Sequence, residues 1–549
     1  MRRPMNELWY KDAVFYAVDV ESFQDSNGDG VGDFAGLTSR LAYLEELGVT
    51  CLWLLPFYPT PNRDNGYDVR DYYGVDPRLG TLQDFAEFVA AAKQRGLRVL
   101  VDLILHHTSD EHPWFQAACA DAGSRYRNYY VWRPDEPATD TPEQNNFPDQ
   151  ENGVWSYARR AGAFYHHRFY HFQPDLNLVN PAVQREVHAI MEFWLAFGVD
   201  GFRLDAATHL LDDKGLPGTR LPRPAQFLQQ LRRALTRRHP EAVLLAEADV
   251  DAAKLKTFFG RGERVNLLFN FGLTNYLFLA LARRQAAPLA ACLRQPRPPR
   301  ACQWANFLRN LDQLDLDQLP AADRTEVLRA FAPQPDMRVH GHGIRRRLAP
   351  MLGGDQRRLE LAYSLLLSMP GAPVLVYGDE IWQGDNLRLP GRTSVRTHMQ
   401  WSAEANAGFS TAPRRVAVHA PAGTGPFSPR RVNVARQLAD ETSLLRWLQR
   451  LIRLRRHCPE IGWAAPQVLA TDQPQVLAHA YHWEGQALVL LHNLADQPCA
   501  VRLTGRRYHP RQLTDLLADH AYAPPSETTQ TLDLQPYGYR WLRVRLPAA

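Results

Sequence analysis

Arg203 and Asp205 stand two residues apart in the segment GFRLDA, and residue types at this spacing could carry out acid chemistry. In a β-strand, alternate side chains share a face, so the guanidinium and the carboxylate would lie side by side. A neighbouring guanidinium keeps a carboxylate ionised and oriented, as a nucleophile or an electrostatic stabiliser requires. A purely structural ion pair at a strand end would have the same pattern. Other acidic motifs in the chain favour the chemical interpretation.

Those other motifs come at or after the ends of predicted strands. They are GYD with Asp68, DLILHH with His107, LLAEA with Glu247 and RNLD with Asp312. Side chains at the carboxyl ends of the parallel strands of a barrel converge on one face, where barrel enzymes carry their active sites. The spacing therefore predicts a carboxylate-rich site at the mouth of a barrel.

The elements that must position these residues alternate between strand and helix. Apolar segments such as LRVLVDLIL and AVLLAEA predict buried parallel strands, and amphipathic segments between them predict helices. With NLLFNF, NFLRNLD and PVLVYGDE as the last strands, the count predicts an α/β fold built on a (β/α)8 TIM barrel. A doubly wound open sheet is the alternative, which the acidic residues at so many strand ends disfavour.

Three regions are predicted. The catalytic barrel comprises residues 1–107 and 173–460. Residues 108–172, rich in Trp, Tyr, Pro and Asn with little periodicity, are predicted to be a subdomain inserted after strand 3 that covers the barrel mouth as a lid. In residues 461–549 the apolar pattern changes to period two, as in QVLAHAYHWEGQALVLLHNL, which predicts a C-terminal antiparallel β-sandwich.

Composition disfavours several classes of protein. The net charge of the 549 residues is only +4 and basic residues are scattered, so nucleic acid is not an expected partner. The most apolar segment, LAYSLLLSMPGAPVLVYG, is interrupted by prolines and too short to cross a bilayer, so no membrane association is expected. Six cysteines without a CxxC pair, and a start without an apolar run, predict a reduced, cytoplasmic protein. The oligomeric state is left open.

Taken together, the motifs resemble the α-amylase family, glycoside hydrolase family 13, over nearly the whole chain. The segments QPDLNL and YGDEIWQGDN match two further family segments. Within the family, DSNGDGVGDFAGL, DNGYDVRDYYGVDPRLGT and VRTHMQWS are most similar to the trehalose synthase and oligo-1,6-glucosidase group. The resemblance implies a retaining mechanism, in which two carboxyl groups flank the bond that is cleaved.

The resemblance also implies a role for each site residue. Asp205 would be the nucleophile, Glu247 the acid/base and Asp312 the third carboxylate, which holds sugar hydroxyls. Arg203 would keep Asp205 charged. The substrate-binding residues would be Tyr67, Asp68, His107, Arg203 and Arg396.

The chain departs from the family pattern at several positions. Leu311 stands in RNLD where the family has His, His106 replaces Asn, Trp382 and Gln383 replace Gly-Met, and His398 replaces Pro. Leucine cannot donate a hydrogen bond to a sugar hydroxyl, and losing a bond that strengthens in the transition state costs about 1–3 kcal/mol, roughly tenfold to 200-fold in rate. Because the carboxylates are intact, these changes predict an altered pocket. A weakly active or non-catalytic paralogue is the alternative.

The segment DSNGDGVGD at residues 25–33 is predicted to hold a structural Ca²⁺. The resemblance implies that its oxygen donors are the side chains of Asp25, Asn27, Asp29 and Asp33 and the main-chain carbonyl of Val31. The twelfth position is Gly36 rather than Glu, so the loop is not an EF-hand, and a metal-free turn is the alternative. No organic cofactor is expected, and the histidines of residues 166–171 lack the paired cysteines of a zinc site.

The expected function is that of a retaining enzyme acting on a small α-glucoside or disaccharide. The similarity to trehalose synthase implies interconversion of maltose and trehalose by intramolecular transglucosylation. An α-glucosidase or α-glucosyltransferase on short oligosaccharides is the alternative within the same class. The outcome depends on how well the inserted subdomain excludes water from the released glucose.

Overall fold

The fold was examined in a computed structural model of the chain. It describes residues 5–135, 146–147, 150–212, 214, 216, 218–219, 224–249, 254–310, 312–413, 425–503, 508, 513–523 and 531–545. Leu311, the substitution singled out in the sequence, lies outside the described residues.

In the described part of the chain, eight parallel strands close a barrel, which confirms the predicted (β/α)8 architecture. They are β1 (Phe15–Val18), β2 (Cys51–Leu54), β3 (Arg98–Leu103), β4 (Gly201–Leu204), β5 (Val243–Ala246), β6 (Leu267–Phe269), β7 (Gln303–Phe307) and β8 (Ala372–Val376). Strand β1 pairs in parallel with both β2 and β8, and so closes the ring. The strands are almost wholly buried, because the barrel interior covers one face and the helices the other.

Helices connect the strands. In the barrel region they are Val20–Phe23, Phe34–Ser39, Leu41–Leu47, Leu82–Gln94, Pro181–Ala196, Pro224–Arg238, Leu255–Phe259, Phe271–Arg283, Ala287–Leu293, Ala321–Phe331, Leu348–Met351, Gln356–Ser368, Val434–Ala439, Leu444–Arg456 and Glu460–Trp463. Short 3₁₀ turns lie at Met5–Lys11, Arg127–Tyr129, His209–Leu211, Pro335–Met337, Asp379–Ile381, Gly391–Val395 and Ala405–Gly408. The helices Phe34–Ser39 and Leu41–Leu47 are separate, because Arg40 between them leaves the helical conformation at φ −101° and ψ 3°.

The segment between β3 and β4 has more regular structure than its sequence indicated. It contains the helix Pro113–Ala120 and, among its described residues, an antiparallel sheet of Trp132–Arg133, Ala163–His166 and Trp155–Ala158. The ring of Phe115 stacks on that of Trp132 with centroids 5.5 Å apart, which packs the helix against the sheet. A second small sheet, of Leu314–Asp315, Gly343–Ile344 and Arg338–Val339, follows β7.

The C-terminal region forms an antiparallel sheet domain, as predicted. In order across the described sheet, its strands are Gln467–Leu469, Val476–Trp483, Gln486–Asn493, Tyr539–Arg545 and Thr514–Ala518. Side chains on one face, among them Val489 and Leu491, pack on a two-stranded sheet of Cys499–Val501 and Leu532–Leu534. The other face packs on the barrel helix Gln356–Ser368, where the indole of Trp541 donates to the hydroxyl of Ser364 at 2.8 Å.

Two expectations about location can be compared with the structure. Among the helices that the structure describes, none combines the length and the apolar character needed to cross a membrane. The six cysteines are unpaired. The predicted cytoplasmic location stays a prediction.

Candidate active site

A cavity of about 890 Å³ opens at the carboxyl ends of the barrel strands. The predicted site residues on its wall are Tyr67, His107, Arg203, Asp205, Glu247 and Asp312. Asp205 follows β4 and Glu247 follows β5 directly, whereas Asp312 lies on the loop beyond β7. The fold thus brings the three predicted catalytic carboxylates to one cavity.

Arg203 donates to three carboxylates, of which two, Asp205 and Glu247, line this cavity. Its Nη1 donates to Asp205 at 2.6 Å and to Asp102 at 2.9 Å, and its Nη2 donates to Glu247 at 2.7 Å. Asp102 and Arg203 are partners in the register of β3 and β4, so the backbone itself sets one of these contacts. Because one guanidinium holds both Asp205 and Glu247, the two carboxyl groups stay close together, as a retaining reaction requires.

Burial and nearby charges have opposing effects on the pKa of Asp205. Burial raises the pKa of Asp205 to about 8, and the charges of Glu247 and Asp102 act in the same direction, while Arg203 offsets only part of the shift. Arg203 favours the charged form of Asp205, as its predicted role requires, but burial has the larger effect. That Arg203 keeps Asp205 charged stays a prediction.

Asp312 has the opposite electrostatic environment. Arg396 donates to its Oδ1 from Nε at 2.8 Å and from Nη2 at 2.6 Å, and Arg392 donates to its Oδ2 at 3.1 Å. Burial would raise the pKa of Asp312, but the two guanidinium groups outweigh it and lower the pKa to about 2. Asp312 is therefore an ionised acceptor. Arg396 is buried and does not line the cavity, so it holds Asp312 rather than contacting a substrate as predicted.

Asp64 and Arg392 line the cavity and were not identified from the sequence. Arg392 donates to Asp64 at 2.5 Å and so links the loop after β2 to the loop after β8. Asp68, which was predicted to bind substrate, lies outside the cavity wall and is fully buried. Its carboxylate accepts the backbone N–H groups of Arg63 at 3.0 Å and Asp64 at 3.1 Å, so it folds the loop. The motif DNGYD thus places Asp64 and Tyr67, not Asp68, at the cavity.

Asn310 and His107 complete the polar wall near the carboxylates. The amide of Asn310 donates to Glu247 Oε1 at 3.1 Å. Burial lowers the pKa of His107 to about 4, so its ring is neutral near pH 7. Its Nε2 lies 3.2 Å from the carbonyl oxygen of Tyr67.

Four of the positions at which the chain departs from the family pattern are described, and none of the four lines the cavity. His106, Trp382, Gln383 and His398 are not part of the wall that the described residues form. His106 Nδ1 lies 3.3 Å from Asp175 and 3.3 Å from Nδ1 of His107, which is on the wall. Gln383 donates to the main-chain oxygen of His398 at 2.8 Å. His106 therefore contacts residues of the wall without lining the cavity itself.

The loop of residues 25–33 is folded by its own carboxylates. Asp25 accepts the N–H groups of Gly28 at 2.7 Å and Gly30 at 2.8 Å, and Asp33 accepts the N–H of Gly36 at 2.6 Å at the start of a helix. Carboxylate, amide and carbonyl oxygens are the donors that Ca²⁺ prefers, so the donor chemistry of the loop suits this ion.

Comparison with known proteins gives the family and its relatives. The family model "Alpha amylase, catalytic domain" matches residues 18–463, and "Sucrose hydrolase-like, C-terminal domain" matches residues 485–543. The chain is 41% identical to a trehalose synthase of Thermus thermophilus over 543 residues, which cover 97% of this chain and 55% of that protein. It is 40% identical to a trehalose synthase of a Pimelobacter species over 560 residues, which cover 98% of this chain and 96% of that protein.

Solved structures agree with this relationship. Trehalulose synthase MutB from Pseudomonas mesoacidophila MX-45 superposes with a TM-score of 0.77 at 26% identity, over 99% of this chain and 100% of that one. An inactive double mutant of MutB in complex with isomaltulose has a TM-score of 0.78, also at 26% identity, over 99% of this chain and 100% of that one. With a family model that covers the barrel and relatives of about 40% identity along its length, the chain belongs to the α-amylase family.

Proposed function

We propose that the chain is a retaining α-glucoside-active enzyme that interconverts maltose and trehalose by intramolecular transglucosylation. The observation that carries this proposal is the shared hold of Arg203 on Asp205 and Glu247 within one cavity. The identity of about 40% to trehalose synthases of Thermus and Pimelobacter supports the choice of substrate.

In the first half of the reaction, the Asp205 carboxylate attacks the anomeric carbon of the substrate. Glu247 gives its proton to the oxygen of the departing glucose, and the glycosidic bond breaks as the ester with Asp205 forms. In the second half, Glu247 takes a proton from another hydroxyl of the same glucose. That oxygen attacks the anomeric carbon and releases Asp205, so the isomer forms with no net loss or gain of atoms.

Asp312 and the Asp64–Arg392 pair bind rather than react. Two guanidinium groups keep Asp312 ionised, so it accepts hydrogen bonds from sugar hydroxyls at any pH where the protein works. The pair of Asp64 and Arg392 bridges two loops of the cavity wall. This bridge favours a short substrate, because a continuous groove for a long glucan would have to pass through it.

Water exclusion decides between isomerase and hydrolase. Phe147 and Phe169, from the segment inserted after β3, line the cavity, and the Arg392 guanidinium lies 5.4 Å from the centroid of the Phe147 ring. These apolar rings keep water away from the glucosyl ester while the released glucose reorients in the cavity. An α-glucosidase or α-glucosyltransferase is the alternative, and the 28% identity to an oligo-1,6-glucosidase of Parageobacillus thermoglucosidasius supports it.

Product analysis by NMR tests the proposal. The pure enzyme is incubated separately with maltose, trehalose and sucrose, with Asp205→Asn as the inactive control. Trehalose formed from maltose without a matching amount of free glucose supports the isomerase. Glucose alone identifies a hydrolase, and no turnover above the control would overturn both assignments and favour a non-catalytic paralogue.

Two other properties are part of the proposal. The loop of residues 25–33 is proposed to hold a structural Ca²⁺, because its alternating oxygen donors suit this ion. A cytoplasmic location is proposed because all six cysteines are free.

A further inference from the structure

A group of metal-ligating side chains lies on the cavity wall apart from the catalytic carboxylates. One ring nitrogen of His342 and one carboxylate oxygen each of Asp315 and Asp317 lie within 4.8 Å of one another. Among the described residues, no other group of three or more His, Cys, Asp or Glu side chains lies this close together. Nε2 of His342 is 3.7 Å from Asp315 Oδ2, and Nδ1 is 3.5 Å from Asp317 Oδ1. All three residues line the catalytic cavity.

The small sheet that follows β7 fixes the positions of these side chains. Asp315 pairs with Gly343 across the antiparallel strands, which brings His342 beside it. The carboxylate of Asp315 accepts the N–H of Asp317 at 2.9 Å. A Cβ atom on Gly343 would lie 2.9 Å from the side chain of Val339, so this close approach requires glycine. The sheet therefore fixes the backbone at Asp315 and next to His342 before any ion binds.

The electrostatics of the group favour a cation. Burial raises the pKa of Asp249, also on the cavity wall, to about 7, and the negative charges of Asp315 and Asp317 add to the shift. Arg324 lies 3.5 Å from Asp317 and neutralises part of this charge. Independently, the amide oxygen of Gln313 is a buried acceptor without a hydrogen-bond partner among the described residues, although its Nε2 contacts Asp315 at 3.5 Å. A divalent cation would balance the negative charges of the carboxylates. A water molecule bound to that cation could donate a hydrogen bond to the amide oxygen of Gln313.

We propose that Asp315, Asp317 and His342 bind a divalent transition-metal ion of the zinc class on the wall of the catalytic cavity. An imidazole with two carboxylates suits such borderline ions, whereas Ca²⁺ and Mg²⁺ take oxygen ligands. Three protein ligands leave a fourth tetrahedral position open. Because Glu247 lines the same cavity, a bound ion shares that space with the substrate and is expected to inhibit turnover.

Calorimetric titration with ZnCl₂ tests the site. The protein is untagged, stripped of metal with EDTA and free of substrate, so the result does not depend on the proposed activity. We expect the wild type to bind one more equivalent of Zn²⁺ than His342→Gln, and Asp317→Asn to weaken this binding at least tenfold. His457→Gln, which removes an exposed histidine from outside the cavity wall, is the matched control and should bind as the wild type does.

A spectroscopic measurement separates coordination from folding. Co²⁺ added in place of Zn²⁺ should give a visible absorption band in the wild type and in His457→Gln, but not in His342→Gln. The Asp317 side chain is 53% exposed, so Asp317→Asn is expected to fold normally. Equal zinc affinity and stoichiometry in the wild type, His342→Gln and Asp317→Asn would overturn the proposal, whatever the activity of the enzyme.

Discussion

Arg203 donates hydrogen bonds to carboxylates that follow or belong to three different strands, and these contacts hold the two reacting acids near each other. Lysine would not replace it, because an ammonium group lacks the planar fork that reaches two carboxylates in fixed directions. Two other guanidinium groups, those of Arg392 and Arg396, keep Asp312 ionised. The wall of the cavity therefore combines Asp205, whose pKa is raised by burial, with Asp312, whose pKa is lowered by two guanidinium groups.

Replacing Glu247 with glutamine should move the pH dependence of glucosyl transfer to lower pH. Asp205 must be ionised to attack, and burial together with the Glu247 charge raises its pKa to about 8. The amide removes that charge, so the pKa of Asp205 falls and the nucleophile becomes available at lower pH. We expect the acidic limb of kcat/KM for α-glucosyl fluoride, which needs no acid catalyst, to shift downward from the wild-type limb.

The control for this measurement is Asp249→Asn, another carboxyl group of the same wall. Asp249 is not among the groups with the largest effects on the pKa of Asp205, so its removal should leave the limb nearly in place. An acidic limb that stays fixed or moves upward in Glu247→Gln would show that the two carboxyl groups are not coupled.

The residues of the site could be predicted from the sequence in part. Asp205 and Glu247 stand directly at strand ends, where motif and fold agree, and both are on the cavity wall. The choice of Asp68 over Asp64 in DNGYD failed, because the spacing of acids does not reveal which one a loop uses for its own N–H groups. Arg392 had no signal in sequence, since its partner Asp64 comes from a distant loop.

At the scale of elements, a close approach between two neighbouring strands explains why glycine begins β4. Gly201 starts β4 with φ +145°, and a Cβ atom there would lie 2.1 Å from the carbonyl oxygen of Val243 on β5. The strands were predictable because they are apolar and buried. The sheet inserted after β3 was not, because strands such as Trp155–Ala158 are only partly buried and contacts such as that of Phe115 with Trp132 hold the sheet.

The loop of residues 25–33 carries a prediction at this scale. If Ca²⁺ binds it, EDTA should lower the apparent melting temperature, and added CaCl₂ should restore it. In the wild type, Asp29 Oδ1 accepts the N–H of Val31 at 2.8 Å. Asp29→Asn keeps an oxygen for this bond but removes the negative charge. The variant should therefore lose most of the calcium response, while its melting temperature in EDTA stays that of the wild type. Identical melting curves of the wild type with EDTA and with CaCl₂ would identify a metal-free turn.

At the scale of the whole molecule, the C-terminal domain covers a helix of the barrel. Trp541, Tyr481 and His479 point from its sheet to the helix Gln356–Ser368, and Tyr481 donates to the carbonyl oxygen of Ser368 at 2.9 Å. That helix precedes β8, whose following loops carry Arg392 and Arg396. The sheet domain therefore stabilises the side of the barrel that supplies the cations of the site, although none of these three aromatic residues lines the described cavity wall.

Trp541→Ala should destabilise the protein while leaving the chemistry of the folded molecules intact. The indole is fully buried between the sheet and the barrel helix, and truncating such a side chain costs about 3–5 kcal/mol in the free energy of unfolding. We expect a lower midpoint of urea unfolding, with turnover per folded molecule unchanged. Leu516→Ala, an exposed residue of the same sheet, should change the free energy of unfolding by only about 0.5 kcal/mol. A wild-type midpoint in Trp541→Ala would mean that the barrel does not depend on this contact, whereas a lower kcat at full folding would mean that the domain also shapes the site.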